Sequence, residues 1–256
     1  MIGGKFFRRI DMIILNTQGV VLRTIKFNDN DLILTIFSRK YGKASVLAKG
    51  AQRQRSRFLS VSQIFSYNNY VLKKQKDMFT LSQGESIKSF YNISQDLESY
   101  AYTSFIAKLV ENNIVEGQTN NRLFELFVKT LFLFSEQVED RMFLLDIFLL
   151  KFIDYMGYRP DLNNCVSCGK KFPSYSYFSL EKGGVICGNC SDFEKNFVKL
   201  DKTTIELMQY ILNNDIIDCN KAKVSPILVK ELFFLLKRYL VAHFENVNFL
   251  PLDLLK

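Results

Sequence analysis

Gly19–Ala48 reads GVVLRTIKFNDNDLILTIFSRKYGKASVLA, and it is punctuated as three short strands. Gly19–Phe27 is rich in β-branched residues. Asn28-Asp29-Asn30-Asp31 is a turn cluster, in which the two acids act as turn formers. Leu32–Arg39 is a second strand, and Lys40-Tyr41-Gly42-Lys43 is a tight hairpin connection. Ala44–Ala48 is a third strand. Lys49–Arg57 (KGAQRQRSR) is then a polar, basic loop, and Gln63–Lys73 and Met78–Phe90 add two strands joined around Lys74–Asp77. Five short strands at hairpin spacing predict a small closed or partly open barrel.

After Tyr91 the period changes from 2 to 3.6. One helix is expected from Ser94 to about Val115, and a second after a cap at Asn120 or Asn121. A third runs from about Asp140 to Met156 and stops at Gly157, with Pro160 beyond. Arg159–Lys195 has no regular period. Helices resume near Thr203–Asn213 and Pro226–Glu245. The fold class is therefore α+β and multidomain. Residues 12–91 form the barrel, and residues 92–256 form an α-helical domain carrying an insertion at 159–195.

The charge follows the same division. The 256 residues hold 34 Lys+Arg and 26 Asp+Glu, a formal +8. Residues 1–90 contribute 16 basic and 5 acidic residues, a net of +11. Residues 91–256 contribute the other 18 and 21, a net of −3. A basic barrel on a nearly neutral body points to nucleic acid as partner. The most apolar stretch, Met142–Tyr158, carries Asp146, Lys151 and Asp154, so no membrane span is expected. Asp11 interrupts the only segment resembling a signal peptide, and a cytoplasmic location follows. Residues 1–11 add no pattern, with Met12 as a second candidate start. The single histidine, His243, lies in a helical stretch and reads as a partly buried helix residue rather than a member of a catalytic triad.

Four of the five cysteines form Cys165-Val-Ser-Cys168, 18 residues, then Cys187-Gly-Asn-Cys190. A two-residue gap lets both thiolates of a knuckle face one ion, and two knuckles complete a tetrahedral set. One structural Zn²⁺ per chain is the reading, with iron in the same sulfur set as the alternative. Four protein ligands leave no open position for catalysis. Disulfide pairing is the bland alternative, which a reducing compartment disfavours. Cys219 is left without a role.

Residues 39–57 contain Arg39, Lys40, Lys43, Lys49, Arg53, Arg55 and Arg57 without an acid, interleaved with Phe37, Tyr41 and Phe58. Cations that follow phosphates, beside aromatics that stack bases, suit single-strand binding on an oligonucleotide-binding (OB) fold. Arg39, Lys43, Lys49, Arg53, Arg55 and Arg57 are the expected phosphate contacts. Tyr41 and Phe58 are candidates for stacking, with packing inside the protein as the alternative for each.

Taken in order, these motifs resemble the bacterial recombination mediator RecO family. The segments are Gly19-Val-Val-Leu22, Asp29-Asn-Asp31, Ile36-Phe-Ser38, Tyr41-Gly-Lys43, and Ala48-Lys-Gly-Ala51 through Ser56-Arg57. Tyr155-Met-Gly-Tyr-Arg-Pro160 and the cysteine set with Gly183-Gly184 follow at matching spacing. The resemblance implies an N-terminal OB fold, a helical domain with a four-cysteine zinc finger, and no bond-breaking activity. It also implies binding of single- and double-stranded DNA, strand annealing and an association with the nucleoid. The implied partners are RecR, the C-terminal tail of single-stranded DNA-binding protein (SSB) and, functionally, RecA. Lys129, Lys151, Lys230 and Arg238 are alternative helix cations for the rim of an SSB-tail pocket, and the sequence does not choose among them. The competing classes are an RNA-binding or transcription-associated protein built from an OB fold and a zinc ribbon, and a nucleic-acid-modifying enzyme. Clustered carboxylates for Mg²⁺ and a phosphate-binding Gly-rich motif, which such enzymes use, do not appear in the sequence.

Overall fold

The computed structural model describes residues 13–75, 78–136, 138–171, 177–192 and 195–255. Residues 1–12, including the proposed extension and second start, lie outside the described residues, as does the β4–β5 connection at 76–77. The chain forms two compact units. The first comprises the residues up to Tyr91 together with Ile114–Asn121; the second comprises Asn92–Asn113 and Arg122–Lys256.

The first unit is a closed five-stranded barrel. Its strands are β1 (Ile13–Phe27), β2 (Asp31–Ser38), β3 (Gly42–Ala48), β4 (Tyr67–Gln75) and β5 (Met78–Lys88). The order around the barrel is β1-β2-β3-β5-β4, antiparallel except for the β3–β5 closure. This is the five-stranded OB arrangement. β1 starts six residues before the sequence pattern indicates. Ile13–Val20 pair with β4 and Gly19–Phe27 pair with β2, so Gly19 and Val20 belong to both ladders. A register shift between Val21 and Arg23 bends the strand so that it serves both ladders. Ile13 and Ile14 are exposed, so no buried alternation marks this extension. β4 starts at Tyr67 rather than Gln63, because Phe65 takes φ 68 and breaks the extended run. Val21, Leu34, Ile36, Val46, Tyr70 and Leu72 form the centre of the core.

Gly42 opens β3 at φ 60, and a Cβ there would collide with the backbone carbonyl of Gln118. Segment 114–121, which the sequence offers only as a linker between helices, is thereby fastened to the barrel. Gly117 N–H donates to the carbonyl of Lys43 at 3.2 Å.

The second unit is built on α1 (Leu97–Asn113), α2 (Asn121–Ser135) and α3 (Arg141–Tyr155). Every residue of α3 from Phe143 to Ile153 is buried, as expected of a helix that is apolar all round. Asp140 caps α3, accepting from Phe143 N–H at 2.8 Å. Beyond the insertion come α5 (Lys202–Asn213), the single turn α6 (Ile216–Cys219) and α7 (Pro226–His243). Among the described residues, no helix is long and apolar enough to cross a membrane.

The insertion has more order than its sequence suggests. β6 (Tyr177–Ser179), β7 (Gly184–Ile186) and β8 (Phe197–Lys199) form an antiparallel sheet in the order β7-β6-β8, and α4 (Gly188–Ser191) follows β7. Strands of three residues are too short to show a period, which is why the segment reads as irregular.

Candidate metal centre and nucleic-acid interface

Both cysteine knuckles are set by local hydrogen bonding. In the first, Gly169 N–H donates to the Cys165 carbonyl at 2.8 Å, and Gly169 takes φ 72, which its lack of a Cβ permits. Cys165 N–H donates to the Lys170 carbonyl at 3.0 Å and closes the loop. In the second, Cys190 and Ser191 N–H groups both donate to the Cys187 carbonyl, forming the turn of α4. Val166 N–H reaches the Val185 carbonyl at 3.0 Å, which draws the two knuckles together.

The result is four Sγ atoms within 4.8 Å of one another. Metal–sulfur bonds of about 2.3 Å in a tetrahedron put sulfurs about 3.8 Å apart. Cys168 and Cys187 are at 4.0 Å, well beyond the ~2.05 Å of a disulfide, and all four cysteines are free thiols. Burial raises the Cys165 thiol, but backbone N–H groups of Cys187, Cys168 and Ser167 outweigh it and hold the thiol down to about 6. Cys190 is pushed up to about 12, first by its hydrogen bond with Cys187 and then by burial and the other sulfurs. A sulfur cluster in which one thiolate opposes the next is the electrostatic setting that a dication relieves. The donor chemistry fits a thiophilic metal ion. All four cysteines expected from the sequence are brought together.

The insertion is fastened to α7. Phe178 packs edge-on against Tyr239 at 5.3 Å, and the Tyr239 hydroxyl donates to the Tyr158 carbonyl at 3.1 Å. His243 Nε2 lies 2.7 Å from the Leu180 carbonyl, with its ring between those of Tyr158 and Tyr239. The lone histidine thus has a structural role in a helix, as its sequence context suggests.

In the barrel, the basic loop is a chain of tight turns held at both ends. Ala51 is buried in the core, and Arg53 N–H and Ser56 N–H donate to the carbonyls of Gly50 and Arg53. Gly50 N–H donates to the Asp31 carboxylate at 2.7 Å, and Gln52 N–H donates to the Asn30 carbonyl at 3.0 Å. The loop therefore rides on the β1–β2 turn. Arg39, Lys49, Arg53, Arg55 and Arg57 are exposed, and Lys43 is half-buried. Arg57 lies 4.7 Å above the Phe58 ring and donates to the Ser82 carbonyl at 3.3 Å. Phe58 itself is only 4% exposed and belongs to the barrel core, so its ring is closed to base stacking and takes the packing role. Tyr41 is half-buried, 6.2 Å from the Phe79 ring.

A cleft of about 660 Å³ on β1, β4 and β5 was not legible as a site. Asn16, Gln18, Asn69 and Gln83 line it, with Arg39 and Lys40 at its side. Its signal in the sequence is the set of amides Asn16, Gln18, Asn69 and Gln83 on β1, β4 and β5, which the acid Glu85 joins on β5.

The four alternative helix cations for a tail pocket lie on three helices, Lys129 on α2, Lys151 on α3, and Lys230 and Arg238 on α7. Lys151 is buried and donates to the Asn214 carbonyl; burial lowers the pKa of its ammonium. Lys129 is paired with Asp215 at 2.6 Å. A hollow of about 200 Å³ is lined by Tyr102, Met142, Phe233, Phe249, Leu252 and Asp253, with Lys237 beside it, 4.9 Å above the Phe249 ring.

A closed OB barrel with an anchored basic loop, together with a helical unit carrying a four-cysteine cluster, defines a class of nucleic-acid-handling architecture. The sequence is more specific. Residues 12–90 match the family described as "Recombination protein O N terminal", and residues 94–249 match "Recombination protein O C terminal". The chain belongs to the recombination protein O family. It is 38% identical over 243 residues to "DNA repair protein RecO" of Alkaliphilus metalliredigens, covering 95% of this chain and 99% of the relative. A protein of the same description from Acetivibrio thermocellus is 32% identical, covering 94% and 96% of the two chains. Another from Clostridium acetobutylicum is 33% identical, covering 92% and 95%.

Proposed function

We propose that this chain is a DNA repair and homologous recombination mediator. It binds single- and double-stranded DNA, anneals complementary strands, works with RecR and helps RecA load onto SSB-coated single strands. The observation that carries the reading is the basic loop anchored on a closed OB barrel in a chain of this family. Arg53, Arg55 and Arg57, with Arg39, Lys43 and Lys49, neutralise phosphates and release counterions. Two strands held against one cationic surface no longer repel each other at full strength, which favours pairing. Catalysis in the bond-breaking sense has no part in this, and no residue is assigned to it. Tyr41 is the remaining stacking candidate.

The cysteine set takes one structural Zn²⁺ per chain, because thiolate softness and closed four-coordination suit zinc. The SSB tail, acidic with an apolar end, is assigned to the Phe249 hollow on its apolar lining, where Lys237 supplies the cation and Asp253 an opposing charge. The site of action is the cytoplasmic nucleoid.

The test is annealing of complementary single strands coated with SSB, without nucleotide or Mg²⁺. Faster annealing than coated strands alone is expected. No acceleration on DNA, or acceleration confined to RNA, overturns the reading in favour of an RNA-binding module.

A further inference from the structure

The outer face of β1, β4 and β5 is a polar array fixed by strand register. Asn16, Val71 and Gln83 form one row across the three strands, and Gln18, Asn69 and Glu85 form the next. Thr17, Tyr70 and Gly84 alternate with them on the barrel side, where Tyr70 belongs to the core. Two strand spacings, about 10 Å, separate the ends of each row. The array floors the cleft of about 660 Å³. One amide is already oriented. Gln18 Oε1 accepts from the Tyr67 hydroxyl at 2.9 Å, so the NH₂ of Gln18 is the end that meets a ligand.

Cations surround this array, and none of its six residues is one. Arg39 and Lys40 stand on the β1 side, where Arg39 N–H donates to the Gln18 carbonyl at 2.9 Å and Lys40 N–H to the Thr17 hydroxyl at 3.2 Å. Arg57 stands on the β5 side. It donates to the carbonyl of Ser82, the extra residue of a β-bulge between Leu81 and Gln83. Along the strands, Lys73 pairs with Ile14 beyond one row, and Lys88 pairs with Tyr67 beyond the other. The one charge on the floor is Glu85, which repels a phosphate laid on it. A base edge is a different case. It carries donors and acceptors side by side, as Asn and Gln amides do, and its amino groups donate to a carboxylate. The floor therefore suits bases and the rim suits phosphates. A sugar would use the floor and gain nothing from the rim, and an acidic peptide would meet Glu85. Base edges are free to lie on a flat sheet only in an unpaired strand.

We propose that this cleft is a base-binding subsite for single-stranded DNA, in which Asn16, Asn69 and Gln83 bond to base edges while Arg39, Lys40 and Arg57 hold the backbone on either side. The subsite rests on the DNA-binding reading above and supplies what that reading lacks, a polar partner for the bases. It lies on a face other than the strand 2–3 face by which OB folds take oligonucleotides. A strand leaving the basic loop at Arg57 reaches the array at Gln83, the residue after Ser82.

The test uses the full chain and two labelled strands of equal length, one of mixed bases and one of abasic residues, followed by fluorescence anisotropy at several salt concentrations. The parent should bind the base-bearing strand more tightly. Asn16→Ala, Asn69→Ala and Gln83→Ala combined should weaken that strand about tenfold and leave the abasic strand as it was, because three neutral hydrogen bonds are lost and no cation is. The salt slope should not change on either strand. Thermal melting like the parent's identifies the variant as folded. Glu85→Gln keeps the shape of the floor and serves as the second variant. It should strengthen the abasic strand more than the base-bearing one and so narrow their ratio. Equal strengthening of both strands would mean that a phosphate faces Glu85, and would overturn the proposal. Equal affinity of the parent for the two strands overturns it as well, as does a ratio that the triple variant leaves unchanged; in both cases DNA binding itself still stands. A parent that binds neither strand overturns the DNA-binding reading together with the subsite.

Discussion

The carboxylate of Asp31 accepts a hydrogen bond from the backbone N–H of Gly50 at 2.7 Å, tying the β1–β2 turn to the start of the basic loop. An acid 19 residues away thus positions a segment that contains none. A single charged hydrogen bond of this kind is worth about 1.5–3 kcal/mol, part of which the loop recovers through water when the bond is lost. Asp31→Ala should therefore weaken DNA binding roughly tenfold, equivalent to about 1.4 kcal/mol. Every cation remains, so the dependence of affinity on salt should keep its slope. Titration by fluorescence anisotropy at several salt concentrations checks both; parent-like affinity would mean the anchor has no bearing on the interface.

Removing the cations themselves should have the opposite signature. Replacing Arg53, Arg55 and Arg57 together by Ala should reduce affinity across all sequences. The plot of log affinity against log salt should become shallower by about 2 on single strands, if each arginine meets one phosphate. Arg57 also sits over Phe58 and bonds Ser82. Its removal exposes part of the core, so melting of the barrel is the necessary companion measurement. An unchanged slope would move the phosphate contacts elsewhere, with the amide-lined cleft beside Arg39 and Lys40 next in line.

Metal removal should act on the insertion and its junction with α7. Protein purified under reducing conditions should carry about one zinc per chain, and a strong chelator should release it. The N–H groups of Val166 and Val185, which bond across the knuckles to the Val185 and Asp161 carbonyls, should then lose protection from hydrogen exchange. The barrel strands should keep theirs. Cys165→Ser, at the most buried of the four sulfurs, should reproduce the effect without chelator. Protein that lacks metal from the outset and shows the same exchange pattern would refute a structural ion.

The barrel and the cysteine set were legible because each rests on a short-range rule. Alternation in Leu32–Arg39 and the turn at Asn28–Asp31 act within a few residues, and a two-residue gap constrains a knuckle wherever it occurs. What was not legible depends on distant partners. β1 begins at Ile13 because β4 offers a ladder to Lys74, not because Ile13 and Ile14 alternate with anything. β6, β7 and β8 are too short to carry a pattern and exist by pairing with one another. Phe58 sits in a run of cations that suggests a surface, yet the loop turns back at Ser56 and delivers its ring to the core. Lys151 reads as a helix cation at a pocket rim, but α3 is buried on every side, which only the packing of α5 and α7 reveals.

The same burial makes Asp146 a source of instability with a defined pH dependence. Its side chain is fully buried near the middle of α3, and among the described residues neither carboxylate oxygen has a hydrogen-bond partner. Burial, reinforced by the charge of Asp140, pushes its pKa well above the usual carboxylate range. In the unfolded chain it ionises near the ordinary value of about 3.9. Below that value both states are protonated and the group costs nothing through ionisation. As pH rises further the unfolded chain loses its proton while the folded chain keeps it, so stability falls until the folded value is reached. Asp146→Asn keeps the shape and removes the titration. The variant should lie closest to the parent near pH 4 and gain on it as pH rises toward 7, by at most about 1.4 kcal/mol per pH unit. Melting of both proteins across that pH range checks it. A difference that stays constant with pH would mean that Asp146 is ionised in the folded protein and holds a partner.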